Sequence, residues 1–572
     1  MSERATTLKV PTGIEDFRKL RELGLAYVDK SALIQALIDE AGTEVVLFPR
    51  PRRFGKSLNL SMLRCWFERQ DEDLSHLFED LAIWDAGESY RAHFQRYPVI
   101  HLSFKACDAA RAEVCLSRIR ERLRALYSEH RAVLDAGGLD AGERERFEGI
   151  LSGTAPDRVY ERALLDLSTY LHRHHGEKVV ILIDEYDAPI HGAYLNSYAQ
   201  ELLDFFRAFF TDGLKGNPHL YKAVLTGILR VARESIFSGM NNLIVYSLLA
   251  PQIATAFGFT EAEVRDLLAR TGLEARLSEV RDWYNGYIFG GHVIYNPWSV
   301  TNYIREAQAG GRPRPYWLST SANLLIKRVL EARAEVLYPE FEALLSGGGV
   351  EHPLDENVVL DNLTDDDAVW SLLAFSGYLR AEERELGEDG RIMYRLTIPN
   401  REVRLIYGDT FRGWLKSRMH GHGGDLRKLT RALLEGDAQR FEEQLQALAL
   451  NLLSYHDGGS PDPEGLYHGF VLGLLAVLEP GHRVRSNRES GKGRPDVMIA
   501  PAEAGQPGVL LELKVARPGR RSLDQAIAEG LLQIAQQGYD AELRALGAEP
   551  IHALAVAFDG KEVRVRAPES VE

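Results

Sequence analysis

Gly55, Lys56 and Ser57 stand together directly after the apolar run Val45 to Phe48 and ahead of an amphipathic stretch. That context suits phosphate oxygens. N–H groups at a helix start hold them, the Lys56 ammonium neutralises a β/γ-phosphate pair, and the Ser57 hydroxyl is a Mg2+ ligand. A second group lies in VVILIDEYD, a β-branched run ending in Asp184 and Glu185. One carboxylate there orders Mg2+ and the next activates water, which is the Walker B form. A third apolar run, KAVLTG, ends at Thr226, a polar group placed to sense a terminal phosphate, with Arg230 and Arg233 close behind. The usual loop pattern is G-x-x-x-x-G-K-[ST]. Here Arg50 takes the first glycine's place, and Arg52 and Arg53 either assist the phosphates or face solvent. Each piece alone has a plainer meaning, such as a helix start with a solvated lysine or a carboxylate pair capping a turn. Strand context and chain order agree for all of them. The expectation is a site for ATP and Mg2+ with contacts from Arg53, Gly55, Lys56, Ser57, Asp184 and Thr226, and with Glu185 as the water-activating base.

A different chemistry is set out near the other end, in GRPDVMIAPAEAGQPGVLLELKVA. Asp496 opens a short apolar strand, and Glu512 and Lys514 lie inside a second one. Side chains alternate in a strand, so Glu512 and Lys514 share one face while Leu511, Leu513 and Val515 take the other. Two carboxylates are hard oxygen ligands for a divalent cation, Mg2+ or alternatively Mn2+. An ammonium beside them positions water and stabilises charge on a phosphodiester under attack. Alternating charge usually marks a solvated edge strand. VLLELKVA is apolar on both sides, however, and an isolated Glu or Lys buried there is costly unless paired or metal-bound. A buried structural ion pair is the competing reading. Upstream, EGLYHGFVLGLLAVL reads as a helix with Glu464 and His468 on one face, His468 as a satisfied core histidine. RVRSNRESGKGR places Arg483, Arg485, Arg488, Lys492 and Arg494 just before Asp496, a local basic patch for nucleic acid. The formal net charge of −15 conceals it and argues against indiscriminate nucleic-acid adhesion.

Apolar runs at Val45 to Phe48, Val99 to Leu102, Val179 to Ile183 and Ala223 to Leu225 alternate with amphipathic stretches. That alternation predicts an α/β domain over residues 1–310 with a mainly parallel sheet. The Gly/Pro-rich segment from Gly310 to Pro315 then breaks the periodicity. Residues 311–431 read as a helical lid or linker, with VWSLLAFSGYLRAEE and RIMYRLTIPN forming a winged-helix-like helix, turn and hairpin. Residues 432–572 form the third expected domain, α/β again. A chain of 572 residues is too long for one core, and 45% hydrophobic with 26% charged residues is ordinary globular usage. Cys65, Cys107 and Cys115 are too few and too scattered for a disulfide framework or thiolate zinc site, and they read as small core hydrophobes. MSERATTLKV has no signal-peptide pattern, and no stretch reaches the roughly 18 apolar residues of a membrane helix, so a cytoplasmic protein without a membrane partner is expected.

Several strings resemble a known family over nearly the whole chain: YVDKSALI, RPRRFGKSLNLSML, ILIDEYDAPI, LTGILRVARESIFSGMNNL, WYNGYIFG with YNPWSV, then YHGFVLGLL, SNRESGKGRPD and LLELKVA. The family is the bacterial and archaeal AAA-ATPase-like proteins fused to a PD-(D/E)XK nuclease domain. Its phosphate loop similarly carries an arginine-rich segment. The resemblance implies a P-loop NTPase sheet followed by a restriction-endonuclease-like α/β domain. It implies ATP turnover at Lys56, Ser57, Asp184 and Glu185, and metal-dependent nucleic-acid cleavage at Asp496, Glu512 and Lys514, with DNA ahead of RNA. It also implies a helix acid beside the D…ExK pair, for which Glu464 is the candidate and Glu489 its competitor, and supporting roles for Gln533 and Tyr539. Arg230 and Arg233 read more plainly as structural ion-pair partners. A homo-oligomer is compatible, since related ATPases supply arginines across subunit interfaces. The competing function is a nucleotide-switched regulatory or scaffolding protein that binds nucleic acid without cutting it. A third, with no specific support in the sequence, is an ATPase that acts on proteins.

Overall fold

The computed structural model describes residues 8–568 apart from 231–235, 238–239, 318–336, 346, 358–364, 388–389, 408–424, 453–462, 476–477, 479–480, 487–494, 517–520 and 538–539. Arg233, Arg488, Glu489, Lys492, Arg494 and Tyr539 lie outside the described residues, as does the side chain of Glu464. The chain divides into two compact units, residues 1–326 with 351–403 and residues 327–350 with 404–572.

Unit 1 is built on five parallel strands, β1 (Val45–Pro49), β2 (Val99–Ser103), β3 (Val179–Asp184), β4 (Leu220–Gly227) and β5 (Leu243–Val245), in the order β2-β3-β4-β1-β5. Helices cover both faces, which is why the central strands read as continuous apolar runs. The alternation within each run sorts side chains to two cores. Val45, Leu47, Ile181, Ile183 and Leu225 join the core under the helices Ala112–Glu129, Ala163–His175 and Ala199–Leu214. Val46, Phe48, Val180, Leu182 and Val224 join the core under the helix Lys56–Phe67. Continuing that parity to the strand ends sends Asp184 and Thr226 to the Lys56 side of the sheet.

A small antiparallel sheet follows, β6 (Phe259–Thr260), β7 (Tyr287–Phe289) and β8 (His292–Tyr295). The helix Asp366–Phe375 then leads by a tight turn into the antiparallel hairpin β10 (Arg380–Leu386) and β11 (Ile392–Thr397), as the sequence predicts. A third strand, β9 (Val350–Pro353), lies beside β11.

The compact units follow different bounds from the three expected domains. Within the expected middle domain, residues 351–403 belong with unit 1. Gly377, at φ 85°, brings the helix–hairpin turn against Pro51, where a Cβ would fall 2.9 Å from the proline ring. Glu402 accepts the backbone N–H groups of Tyr316 and Trp317 at 2.6 and 2.7 Å and the Ser299 hydroxyl at 2.7 Å. The helix Asp425–Leu434 instead packs on Ala438–Leu452 in unit 2. Gly310 to Pro315 does break helical periodicity, but the chain goes on to serve the same core.

Unit 2 carries a mixed sheet of β12 (His482–Ser486), β13 (Val497–Pro501), β14 (Gly508–Val515), β15 (Ile551–Asp559) and β16 (Glu562–Arg566) in sequential order. Only the β14–β15 pair is parallel. Leu511, Leu513 and Val515 point into the core shared with the helices Ala438–Leu452 and Pro463–Leu475. The helix Leu523–Gln537 covers the opposite face through Ala526 and Ile527. Among the described residues no helix is long and apolar enough to cross a membrane. Cys107 and Cys115 are buried, Cys65 is half-buried, and all three are free thiols.

Candidate functional site

In unit 1 the chain leaves β1 in a turn whose left-handed residues are Arg53 (φ 68°) and Gly55 (φ 84°). Arg50 is not among the positive-φ residues, so this backbone needs no glycine there. Its guanidinium is wholly buried between the rings of Phe257 and Phe289, at 5.2 and 5.5 Å, and Nη1 donates to the carbonyls of Pro49 and Tyr246. Arg50 is therefore a strut beneath the loop. Lys56 Nζ donates to the carbonyls of Arg50 and Pro51, both at 2.9 Å. Ser57 Oγ donates to Asp184 Oδ2 at 2.6 Å, and Thr226 Oγ1 donates to Asp184 Oδ1 at 2.7 Å. One buried carboxylate thus joins three residues that the sequence singled out on three elements.

Glu185 follows with φ 51°, a strained position for a residue with a side chain. Burial raises its pKa, the Asp184 charge adds to the rise, and Lys56 opposes it. Burial lowers the Lys56 pKa, and Glu185 and Asp184 oppose that. Each group thus opposes the shift that burial imposes on the other. Lys56, Ser57, Glu185, Gly55 and Arg53 line a cavity of about 760 Å3, with Asp184 and Thr226 buried behind them. Arg230 is half-buried and does not line it, although Ile228 and Leu229 do.

Sequence reasoning missed several groups here. Asp187 Oδ2 accepts the N–H groups of Ile228 and Leu229 at 2.7 and 3.0 Å, tying the loop that carries Glu185 to the end of β4. His191 Nε2 stands 3.4 Å from the same oxygen, too poorly directed for a hydrogen bond. Burial keeps that imidazole's pKa low, though Asp187 pulls it upward. Asp187 was legible as the third acid of DEYD. Trp317, whose indole donates to Arg52 O at 3.3 Å, had no sequence signal.

In unit 2 the strand parity is met. Glu512 is fully buried, and its Oε1 accepts from Lys514 Nζ at 2.7 Å. Asp496 Oδ2 accepts the Leu513 N–H at 2.7 Å, which brings it beside the same strand. Burial pushes the Glu512 pKa up, the Asp496 charge adds to this, and Lys514 opposes it. Glu512 Oε2 is buried and has no hydrogen-bond partner among the described residues. An orphaned carboxylate oxygen beside a second carboxylate fits a divalent cation with hard-oxygen preference. Among the described residues no group of three or more His, Cys, Asp or Glu side chains forms a metal site, so the pair stands without a described third acid.

His468 Nε2 donates to Asp496 O at 2.9 Å, holding the backbone of an acid rather than facing a ligand. Gly530 lets the helix Leu523–Gln537 pack closely on β15, since a Cβ there would fall 3.0 Å from Ala555 Cβ, with Lys514 Cγ and Glu512 Cγ next at 3.6 and 3.8 Å. Gln533 is half-buried about one turn further along that helix. Of the expected basic patch, Arg483 is exposed on β12, and Arg485 is engaged with Glu542.

A parallel sheet bearing a phosphate loop and Walker B acids, followed by a mixed sheet bearing D…E-x-K, defines the class as a P-loop ATPase-like module joined to a nuclease-like one. Family comparison agrees. Residues 11–237 match the AAA-ATPase-like model described as a predicted AAA-ATPase, and residues 462–567 match the PD-(D/E)XK nuclease superfamily. The chain carries both domains. It is similar to an uncharacterised protein encoded in the vnfD 5′ region of Azotobacter chroococcum mcd 1, 28% identical over 561 residues and covering 96% of each chain. Among solved structures, the Aeropyrum pernix ORC1 protein in complex with DNA is 13% identical with a TM-score of 0.21, over 67% of this chain and 93% of that one. A likeness of that size carries no weight for fold or function.

Proposed function

We propose that the protein binds and hydrolyses ATP in unit 1 and thereby controls a divalent-cation-dependent nuclease in unit 2 that cleaves DNA. The observation that carries the nuclease reading is the buried Glu512 carboxylate, with one oxygen on Lys514 and the other, beside Asp496, unpartnered among the described residues. Asp496 and Glu512 would hold Mg2+ or Mn2+, which when bound supplies Lewis-acid polarisation of the scissile phosphate. Lys514 holds the attacking water and neutralises negative charge that grows on the phosphate oxygens. His468 and the Leu513 N–H fix Asp496 from two sides. In unit 1, Lys56 and the N–H groups that open its helix cradle the phosphates. Ser57 and Asp184 would hold the accompanying Mg2+, and Glu185 takes the proton of the attacking water. DNA is preferred to RNA by analogy with the nuclease superfamily alone.

The test is incubation of purified full-length protein with DNA and RNA panels, with and without ATP and with Mg2+ or Mn2+, alongside Lys56→Ala and Asp496→Ala. Lys56→Ala is expected to lose ATP turnover. Asp496→Ala is expected to lose cleavage and keep turnover. Wild-type protein that binds DNA yet leaves it uncut in every condition would establish the non-cleaving switch instead.

A further inference from the structure

Three charged side chains from separate elements meet on the wall of the unit 1 cavity. The Glu15 carboxylate takes Lys105 Nζ at 2.7 and 2.6 Å on its two oxygens, and Arg53 Nη1 lies 3.9 Å from the first of these. All three line the cavity together with Lys56, Ser57 and Glu185. Lys105 sits two residues past Ser103, which is paired with Asp184 across β2 and β3. It therefore follows the strand end that lies abreast of the Walker B aspartate.

The backbone delivering each cation is held in an uncommon conformation. Ala106 has φ 62° and Arg53 has φ 68°, left-handed values that a residue with a Cβ keeps only when its surroundings enforce them. At Ala106 the enforcement is visible. Arg118 donates to the carbonyls of Ala106 and Asp108, and Arg122 donates to Lys105 O at 3.1 Å. Gly192 closes on the same loop, where a Cβ would fall 2.8 Å from Asp108 Cβ. The Arg53 guanidinium rests 4.3 Å from the centre of the Trp298 ring.

We propose that Lys105 and Arg53 form the subsite for the terminal phosphate of a nucleoside triphosphate, and that the Glu15 carboxylate stands in for that phosphate until the nucleotide displaces it. The inference rests on the nucleotide reading of unit 1. Glu15 and Lys105 are 43% and 49% exposed, and a pair so well solvated contributes little, so exchanging its partner is cheap. A terminal phosphate brings more negative charge and more acceptor oxygens than a carboxylate, and two cations with several donors match it better. A diphosphate falls one phosphate short of them. Discrimination between triphosphate and diphosphate is the signature.

The test is calorimetric titration of full-length protein with ADP or with the ATP analogue carrying an imido bridge between its β- and γ-phosphates, both in Mg2+. Lys105→Ala is expected to weaken the triphosphate about tenfold and leave ADP within about twofold, the loss of one charge-assisted contact. Lys105→Arg should keep the preference, and Glu15→Gln should tighten the triphosphate alone. Should alanine unfold the protein, Lys105→Met keeps the aliphatic stem and takes its place. A folded Lys105 variant that loses both nucleotides equally, or neither, overturns the subsite. A Glu15→Gln protein with unchanged triphosphate affinity overturns the stand-in. Wild-type protein that binds neither nucleotide overturns the nucleotide reading itself and this inference with it.

Discussion

Asp184 in unit 1 and Glu512 in unit 2 are both buried acids on central strands, and they differ in what they already touch. Asp184 has a hydroxyl donor on each oxygen, Ser57 on one and Thr226 on the other. Glu512 has Lys514 on one oxygen and, among the described residues, no partner on the other. A satisfied buried carboxylate stabilises the fold as it stands, whereas an unsatisfied one carries a desolvation penalty that only a further cation or donor relieves. Glu402 lies between the two, since it accepts two backbone N–H groups and the Ser299 hydroxyl, yet burial still disfavours its charged form. The contrast teaches that unit 1 satisfies Asp184 from its own hydroxyls, while unit 2 satisfies only half of Glu512 from its described residues.

The largest effect that would sharpen this contrast is expected from Lys514→Ala. Cleavage of a DNA substrate at saturating cation should fall about 10²–10⁴-fold, the range for losing a positioned catalytic group, while DNA binding persists. Unchanged cleavage would remove Lys514 from the chemistry. Next is the pH dependence of Glu402, whose pKa burial pushes up to about 7 from 4.5. An acid with a higher pKa folded than unfolded contributes its stability in full below the unfolded value and loses it as pH rises through the folded one. The expected loss between about pH 4.5 and 7 is at most about 3 kcal/mol. Urea unfolding across that window should show Glu402→Gln lacking the decline, and parallel curves for wild type and variant would refute it.

A slightly smaller effect separates the two units directly. Without nucleotide, Mg2+ or Mn2+ at a hundredfold over Kd should stabilise the unfolding transition of unit 2 by about 2.7 kcal/mol. Glu512→Gln should abolish that shift, and the unit 1 transition should not move. A cation shift in unit 1, or none in unit 2, breaks the comparison. The smallest is Thr226→Val, which strips one donor from Asp184 and should cost about 2 kcal/mol of unit 1 stability in thermal unfolding. A neutral outcome would show that Ser57 alone satisfies the carboxylate.

Much of this was legible in local pattern. Continuous apolar runs foretold a sheet covered on both faces, and GKS and DE at the ends of such runs foretold residues at its C-terminal edge. The E-x-K alternation foretold that Glu512 and Lys514 share a face against Leu511, Leu513 and Val515. The helix, turn and hairpin after residue 366 were readable for the same reason. The domain bounds were not, because a glycine-proline break marks where periodicity stops and not which core the following residues join. Arg50 was opaque in another way. Its position in the loop pattern suggested a departure from phosphate binding, yet its partners, Phe257 and Phe289, lie far along the chain.

By itself the sequence determined which side chains alternate, where strands stop and helices begin, and which titratable groups stand at those junctions, since all of these depend on neighbours a few residues away. Only the tertiary structure decided that Ser57 and Thr226 close on one aspartate, that one buried oxygen of Glu512 has no partner among the described residues, and that Glu15 bridges Lys105 and Arg53. Those contacts depend on strand order and register, which are set by packing between segments tens to hundreds of residues apart and leave no local trace.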